Sequence, residues 1–142
     1  MALRRALRMA LPALLACALL AFAPAGADAA VYKGKTGQKF KIAIAPAGRH
    51  RIKLLRFKIR LRCRDGSLLY DDLSDFDPAR LRADGRFADF QKGPTDEVIF
   101  RGRARGPKVK GRLRVRDKLK NGVPCDSGTV QFATSRVRRG RR

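Results

Sequence analysis

The sequence predicts an all-β fold: an antiparallel β-sandwich of about seven to eight short strands, with a partly open β-barrel as the alternative. Three observations lead there. The stretch "LRFKIRLRCR" (55–64) alternates apolar and basic residues without a break. On a helix, Leu55, Phe57, Ile59, Leu61 and Cys63 would scatter around the whole circumference; on a strand they share one face, and Arg56, Lys58, Arg60, Arg62 and Arg64 share the other. The same alternation recurs in "EVIFRGRA" (97–104) and "VKGRLRVRD" (109–117). Turn signals at Pro46-Ala47-Gly48, Asp65-Gly66 and Asp84-Gly85 cut the chain into strand-sized pieces. One buried and one solvated face per strand favours antiparallel pairing.

The elements follow in order. "VYKGKT" (31–36) and "KFKIAIA" (39–45) read as two strands joined at Gly37-Gln38. "RIKLLRFKIRLRC" (51–63) is a long strand whose alternation slips at Leu54-Leu55, where a β-bulge restores the inward direction. "SLLYDDL" (67–73) returns from the Asp65-Gly66 hairpin. Residues 74–97 are the least regular, with short strands near "ARLRA" and "RFADFQ". The strand at 97–104 turns inward Val98, Phe100, Gly102 and Ala104; the strand at 109–117 turns inward Val109, Gly111, Leu113 and Val115. "KLKNGV" reads as a turn and "SGTVQFAT" (127–134) as the last strand.

Residues 1–29 stand apart. "MALRRALR" is basic, "MALPALLACALLAFA" is apolar, and "PAGADAA" offers small residues for cleavage, the pattern of a signal peptide cut after Ala27 or Ala29. A membrane anchor fits less well, because the apolar run is short and contains Pro12. Arg4-Arg5 leave a twin-arginine route open, and "LLAC" ending at Cys17 leaves a lipoprotein site open. The expected organisation is a signal peptide at 1–29, one β-domain at 30–134 and a basic disordered tail at 135–142. The expected location is extracytoplasmic, secreted or wall-associated, with no membrane span after processing.

The chain of 142 residues carries 34 basic and 12 acidic residues, a net charge of +22. Without residues 1–29, which hold Arg4, Arg5, Arg8 and Asp28, 31 basic and 11 acidic residues remain. Two cysteines also remain, Cys63 and Cys125. Export makes a disulfide between them the natural reading; two buried thiols or a metal pair are the alternatives. Few further metal ligands are on offer, since the only histidine, His50, sits in the turn "PAGRH".

Nine of the 11 exported carboxylates fall between Asp65 and Glu97. "DDLSDFD" (71–77) gathers oxygen ligands, but Leu73 and the absence of a central glycine break the helix-loop-helix calcium spacing. The single Glu argues against a paired-carboxylate glycosidase, and no nucleophile elbow or phosphate-cradling glycine loop appears. No catalytic residue and no cofactor is assigned; a small hydrolase built on the acidic segment is the weakest of the readings weighed. Phe40, Phe57, Phe87, Phe100 and Phe132 fall inward or near the core, leaving Tyr32, Tyr70 and Phe90 as surface aromatics.

The outward cations carry the functional content: Arg56, Lys58, Arg60, Arg62 and Arg64; Arg101, Arg103 and Arg105; Lys110, Arg112, Arg114 and Arg116. If two of these strands pair, they form a positive sheet face. Outside the cell such a face attracts an anionic cell-wall polymer, an anionic lipid surface, an acidic polysaccharide or extracellular DNA. The competing reading is a structural or protein-interaction module with incidental charge. Arginine outnumbers lysine 23 to 11, as a GC-rich genome would produce, and basic edges discourage strand-to-strand aggregation.

The order of "YKGKTGQ", the basic strand ending in "CRDG" (63–66), "GRF" (85–87), "GRLRV" (111–115) and "CDSGTVQF" (125–132) resembles a group of small exported actinobacterial proteins of unassigned function. The resemblance spans most of the exported part. It implies a β-rich domain with a disulfide joining the "CRDG" and "CDSG" segments, and it brings no activity or cofactor. Phe132 stands where Trp is common in such chains.

Overall fold

A computed structural model describes residues 30–137. The signal-peptide, export-route and lipoprotein expectations (1–29) and the last five residues of the expected tail lie outside the described residues. Ten strands follow in order: β1 (Tyr32–Thr36), β2 (Lys41–Pro46), β3 (Arg51–Cys63), β4 (Leu68–Ser74), β5 (Ala79–Arg80), β6 (Arg86–Lys92), β7 (Glu97–Arg105), β8 (Lys108–Lys118), β9 (Pro124–Asp126) and β10 (Val130–Arg136).

All pairings are antiparallel. The path β10-β1-β2-β3-β9-β8 is closed by pairing of β10 with β8, which makes a six-stranded ring. Strands β4 and β5 add to β3, β7 adds to β8, and β6 adds to β7. A single bridge, Leu81 to Phe87, links the chain after β5 to β6. The all-β antiparallel expectation therefore holds, and the closure corresponds to the barrel alternative. Ten strands stand where seven or eight were expected, because β5 and β9 are only two and three residues long.

The core follows from two-residue alternation. Phe57, Ile59 and Leu61 of β3 are fully buried beside Val109, Leu113 and Val115 of β8 and Ile42 and Ile44 of β2. Phe57 stacks on Phe76, and Phe100 packs between Phe87 and Phe132. The bulge occurs where the alternation slips: Ala43 faces Arg56 and Ile44 faces Leu54, so Leu55 has no partner on β2. Cys63 and Cys125 face each other across β3 and β9 and form a disulfide spanning 62 residues. Both are buried, which is compatible with an oxidising, extracytoplasmic compartment.

Two boundaries differ from expectation. Residues 124–126, assigned to no element between the expected turn "KLKNGV" and the expected last strand, form β9. The last strand begins at Val130 rather than 127 and runs to Arg136, two residues into the segment expected as tail, because Ser135 and Arg136 pair with Lys33 and Tyr32.

Candidate basic groove

Five neighbouring strands, β6-β7-β8-β10-β1, carry three transverse rows of residues in register. The middle row, Phe87–Gly102–Gly111–Phe132–Thr36, points inward. The two flanking rows point outward. One is Arg86–Arg103–Lys110–Ala133–Lys35; the other is Ala88–Arg101–Arg112–Gln131. Between them lies an open concavity of about 1250 Å³.

The middle row explains why backbone shows at the floor. A Cβ on Gly102 would run into the carbonyl of Lys110 and lie 2.8 Å from Phe87 Cζ. A Cβ on Gly111 would run into the carbonyl of Arg101 and lie 2.7 Å from Phe132 Cζ. Glycine at both positions lets neighbouring backbones approach closely and seats the two rings beneath them. The two glycines are adjacent and flanked by the two rings, and the floor exposes main chain rather than side chain.

The groove is lined by eight cations, Lys35, Lys39, Arg82, Arg86, Arg101, Arg103, Lys110 and Arg112, and by no carboxylate. Several stand directly opposite one another: Arg86 faces Arg103, Arg103 faces Lys110, and Arg101 faces Arg112. Like charges in such positions destabilise a sheet. Among the described residues, only Arg86 of the eight has a carboxylate partner, Asp84 at 3.3 Å. The carbonyl of Asp84 also accepts a hydrogen bond from Arg103 Nε. The backbone N–H of Arg86, then the charges of Arg86, Arg103 and Arg82, hold the Asp84 carboxyl below the usual carboxylate range.

The twelve predicted cations divide. Arg101, Arg103, Lys110 and Arg112 line the groove, and Arg105 sits beyond its edge, opposite Lys108. Arg114 and Arg116 are held by carboxylates farther along β8. Asp126 accepts from Arg114 at 2.5 Å and lies 3.4 Å from Arg116 Nε; Glu97 lies 3.8 Å from Arg116. Arg114 is the largest cause holding the Asp126 carboxyl low.

Arg56, Lys58, Arg60 and Arg62 are on β3, which pairs with neither β7 nor β8. Arg56 is engaged by Asp72 at 2.5 Å, and this lowers the Asp72 carboxyl and raises the guanidinium. Lys58 sits over the rings of Phe40 and Tyr70, and Gln38 bridges the backbone of Arg60 through both amide atoms. Arg62 and Arg64 line a second concavity of about 640 Å³ near the disulfide, where Asp96, Glu97, Asp117 and Asp126 balance the cations.

Sequence reasoning missed Lys35, Lys39, Arg82, Arg86 and Gln131 as groove residues. Lys33 and Lys35 do alternate with Tyr32, Gly34 and Thr36, a local signal of which side they face but not of what they meet. Their meeting with Lys110 depends on β10 lying between β1 and β8, which local pattern does not reveal.

The acidic segment does not gather. Asp72 is engaged by Arg56, Ser74 Oγ donates to Asp75, and the backbone N–H of Asp77 donates to Gln91. Among the described residues no group of three or more His, Cys, Asp or Glu side chains is arranged to hold a metal ion. Tyr70 and Phe90 are exposed, whereas Tyr32 packs partly against the core. Comparison of the chain with protein-family models, with curated proteins and with solved structures finds no match.

Proposed function

We propose that this protein is an exported, non-catalytic β-domain that associates electrostatically with an anionic polymer or surface outside the cell. The candidates are a cell-wall polymer, an anionic lipid surface, an acidic polysaccharide or extracellular DNA. One observation carries the reading: eight cations line one concavity without a carboxylate, several in direct opposition. Elsewhere among the described residues four cations have carboxylate partners: Arg56, Lys92, Arg114 and Arg116. Arg56 has Asp72, and Arg114 and Arg116 share Asp126. Charge that merely reflected genome composition would have no reason to collect where it costs stability. A focused positive concavity raises the local concentration of polyanions and speeds their association. The motif order of "YKGKTGQ", "CRDG" and "CDSG" supports grouping the chain with the small exported actinobacterial proteins it resembles.

The test is titration of the exported form with labelled dextran sulfate and poly(glycerol phosphate) at several salt concentrations. Binding that weakens steeply with salt is expected. A response flat in salt rejects the proposal.

A second reading, a protein-interaction module, is favoured by the exposure of Leu68 and Tyr70 on β4 and Phe90 on β6. It predicts binding to a protein partner that is insensitive to salt and lost in a Tyr70→Ser/Phe90→Ser variant.

A further inference from the structure

We infer that the groove takes a single flexible phosphodiester chain, laid across the strands, in preference to a bilayer or a duplex. This rests on the polyanion reading above and narrows it to one ligand class.

The first argument is shape. Six of the eight cations occupy two outward rows flanking a concavity whose floor includes Gly102 and Gly111. A flat bilayer meets rims and leaves such a floor empty. Membrane-surface elements also add apolar side chains that enter the headgroup region. Here Phe87 and Phe132, the aromatics of the lining, are buried.

The second argument is spacing. Neighbouring strands lie about 4.8 Å apart, so the row from Arg86 on β6 to Lys35 on β1 runs about 19 Å perpendicular to the strands. The second row, with Arg101 and Arg112, is displaced by two residues, about 7 Å. A thin chain lying along this direction passes a cation on one side or the other at nearly every strand. A wide duplex bridges the rims and reaches few of them.

The third argument is chemistry. Five of the eight lining cations are arginines, whose planar fork pairs with phosphate oxygens through two parallel hydrogen bonds. The groove lining holds no exposed aromatic side chain to stack a base. The groove thus reads backbone charge, and a polymer with or without bases serves equally.

The experiment uses the exported protein and four probes: poly(glycerol phosphate), single-stranded oligothymidylate, a DNA duplex of matching length, and vesicles containing phosphatidylglycerol. The two single chains should bind comparably, and about tenfold or more tighter than duplex or vesicles at one salt concentration. With four to five phosphates neutralised, log affinity should fall against log salt with a slope of about −3. An Arg101→Ser/Arg112→Ser variant, checked for fold by circular dichroism, should lose about tenfold or more in affinity. A Lys35→Ser/Lys110→Ser variant should lose a similar amount. Arg60→Ser/Arg62→Ser, on β3 outside the groove, should bind as the parent does. Vesicles or duplex binding as tightly as the single chains overturns the inference while leaving polyanion binding intact. So does a loss in the β3 variant equal to that in the groove variants. Failure of every probe to bind rejects both.

Discussion

Gly102 of β7 and Gly111 of β8 face each other across the sheet, and each occupies a position where the other strand's backbone fills the space of a side chain. Cα of each glycine lies within about 3 Å of the Cβ that the other would carry: 2.9 Å for Gly102 and 2.8 Å for Gly111. Neither distance can be relieved by a side-chain rotation, since the obstruction is main chain. Gly111→Ala must part β7 from β8 or displace Phe132, and a cost of about 1–3 kcal/mol is expected. Urea denaturation measures it. A parental midpoint in Gly111→Ala would show that the close approach is not needed. The effect belongs to folding, so the variant also tests whether the groove floor depends on this pair: weakened polyanion binding below the unfolding transition is expected.

The opposed cations predict a trade between stability and binding. Arg101 and Arg112 are exposed cross-strand partners, and like charges so placed destabilise by roughly 0.2–1 kcal/mol. Arg112→Ser removes that repulsion. The free protein should gain stability by that amount in about 20 mM salt, where screening is weak, and the gain should shrink in about 0.5 M salt. Polyanion affinity should fall in the same variant. Stability and affinity moving together would contradict a groove whose cations are held apart for a ligand.

How much of this was legible in the sequence depends on the range of the interactions. The inward and outward faces of β3, β7 and β8 could be read directly, because alternation is local and Phe57, Ile59, Phe100 and Leu113 all point inward as expected. The bulge at Leu55 was legible for the same reason. β9 was not: Pro124–Asp126 is three residues long, begins with proline and shows no alternation. It exists because Cys125 is bonded to Cys63 and Asp126 faces both Arg62 and Arg116. The groove was half legible. The cations of β7 and β8 belong to adjacent strands, but Lys35 on β1 and Arg86 on β6 are far apart in the chain, and only the order β6-β7-β8-β10-β1 unites them. Gly102 and Gly111 were placed inward correctly, yet nothing local marks them as points of backbone contact.

The disulfide closes the chain across 62 residues. In the chain-entropy model a loop of that length contributes on the order of 4 kcal/mol, less any native strain. Removing both thiols by Cys63→Ala/Cys125→Ala should lower stability by about 2–4 kcal/mol while leaving the strand pattern intact, since the ring is also closed by β10 on β8. Chemical denaturation followed by circular dichroism reads both quantities. The unreduced exported protein should show no free thiol at Cys63 or Cys125 in denaturant; two reactive thiols would reject the pairing.

The carboxylates predict the shape of stability against pH, and two of them act in opposite directions. Asp126 accepts from Arg114, from Arg116 and from the backbone N–H of Gly128. These bonds hold its carboxyl below the usual range, Arg114 being the largest cause. Asp72, held by Arg56, is lowered likewise. A group whose folded pKa is depressed adds stability above its unfolded value, about 3.9, and loses it as pH falls through the folded value. Stability should therefore be level near neutrality with respect to these groups and decline below about pH 4. Asp71 is the reverse. Burial is the largest cause raising its carboxyl, and the charges of Asp117, Asp96 and Asp72 add to it. Its ionisation opposes folding at neutral pH, and that opposition is relieved as pH falls toward the unfolded value. Asp126→Asn should cost about 1 kcal/mol at pH 7, kept small by the half-exposed setting of the pair. The same variant should flatten the acid decline. Asp71→Asn should be neutral or stabilising at pH 7, with any advantage vanishing at low pH. Urea midpoints of the parent and both variants between pH 7 and pH 3 check this; variants shifted in the same direction at pH 7 would contradict the assignment of the two environments.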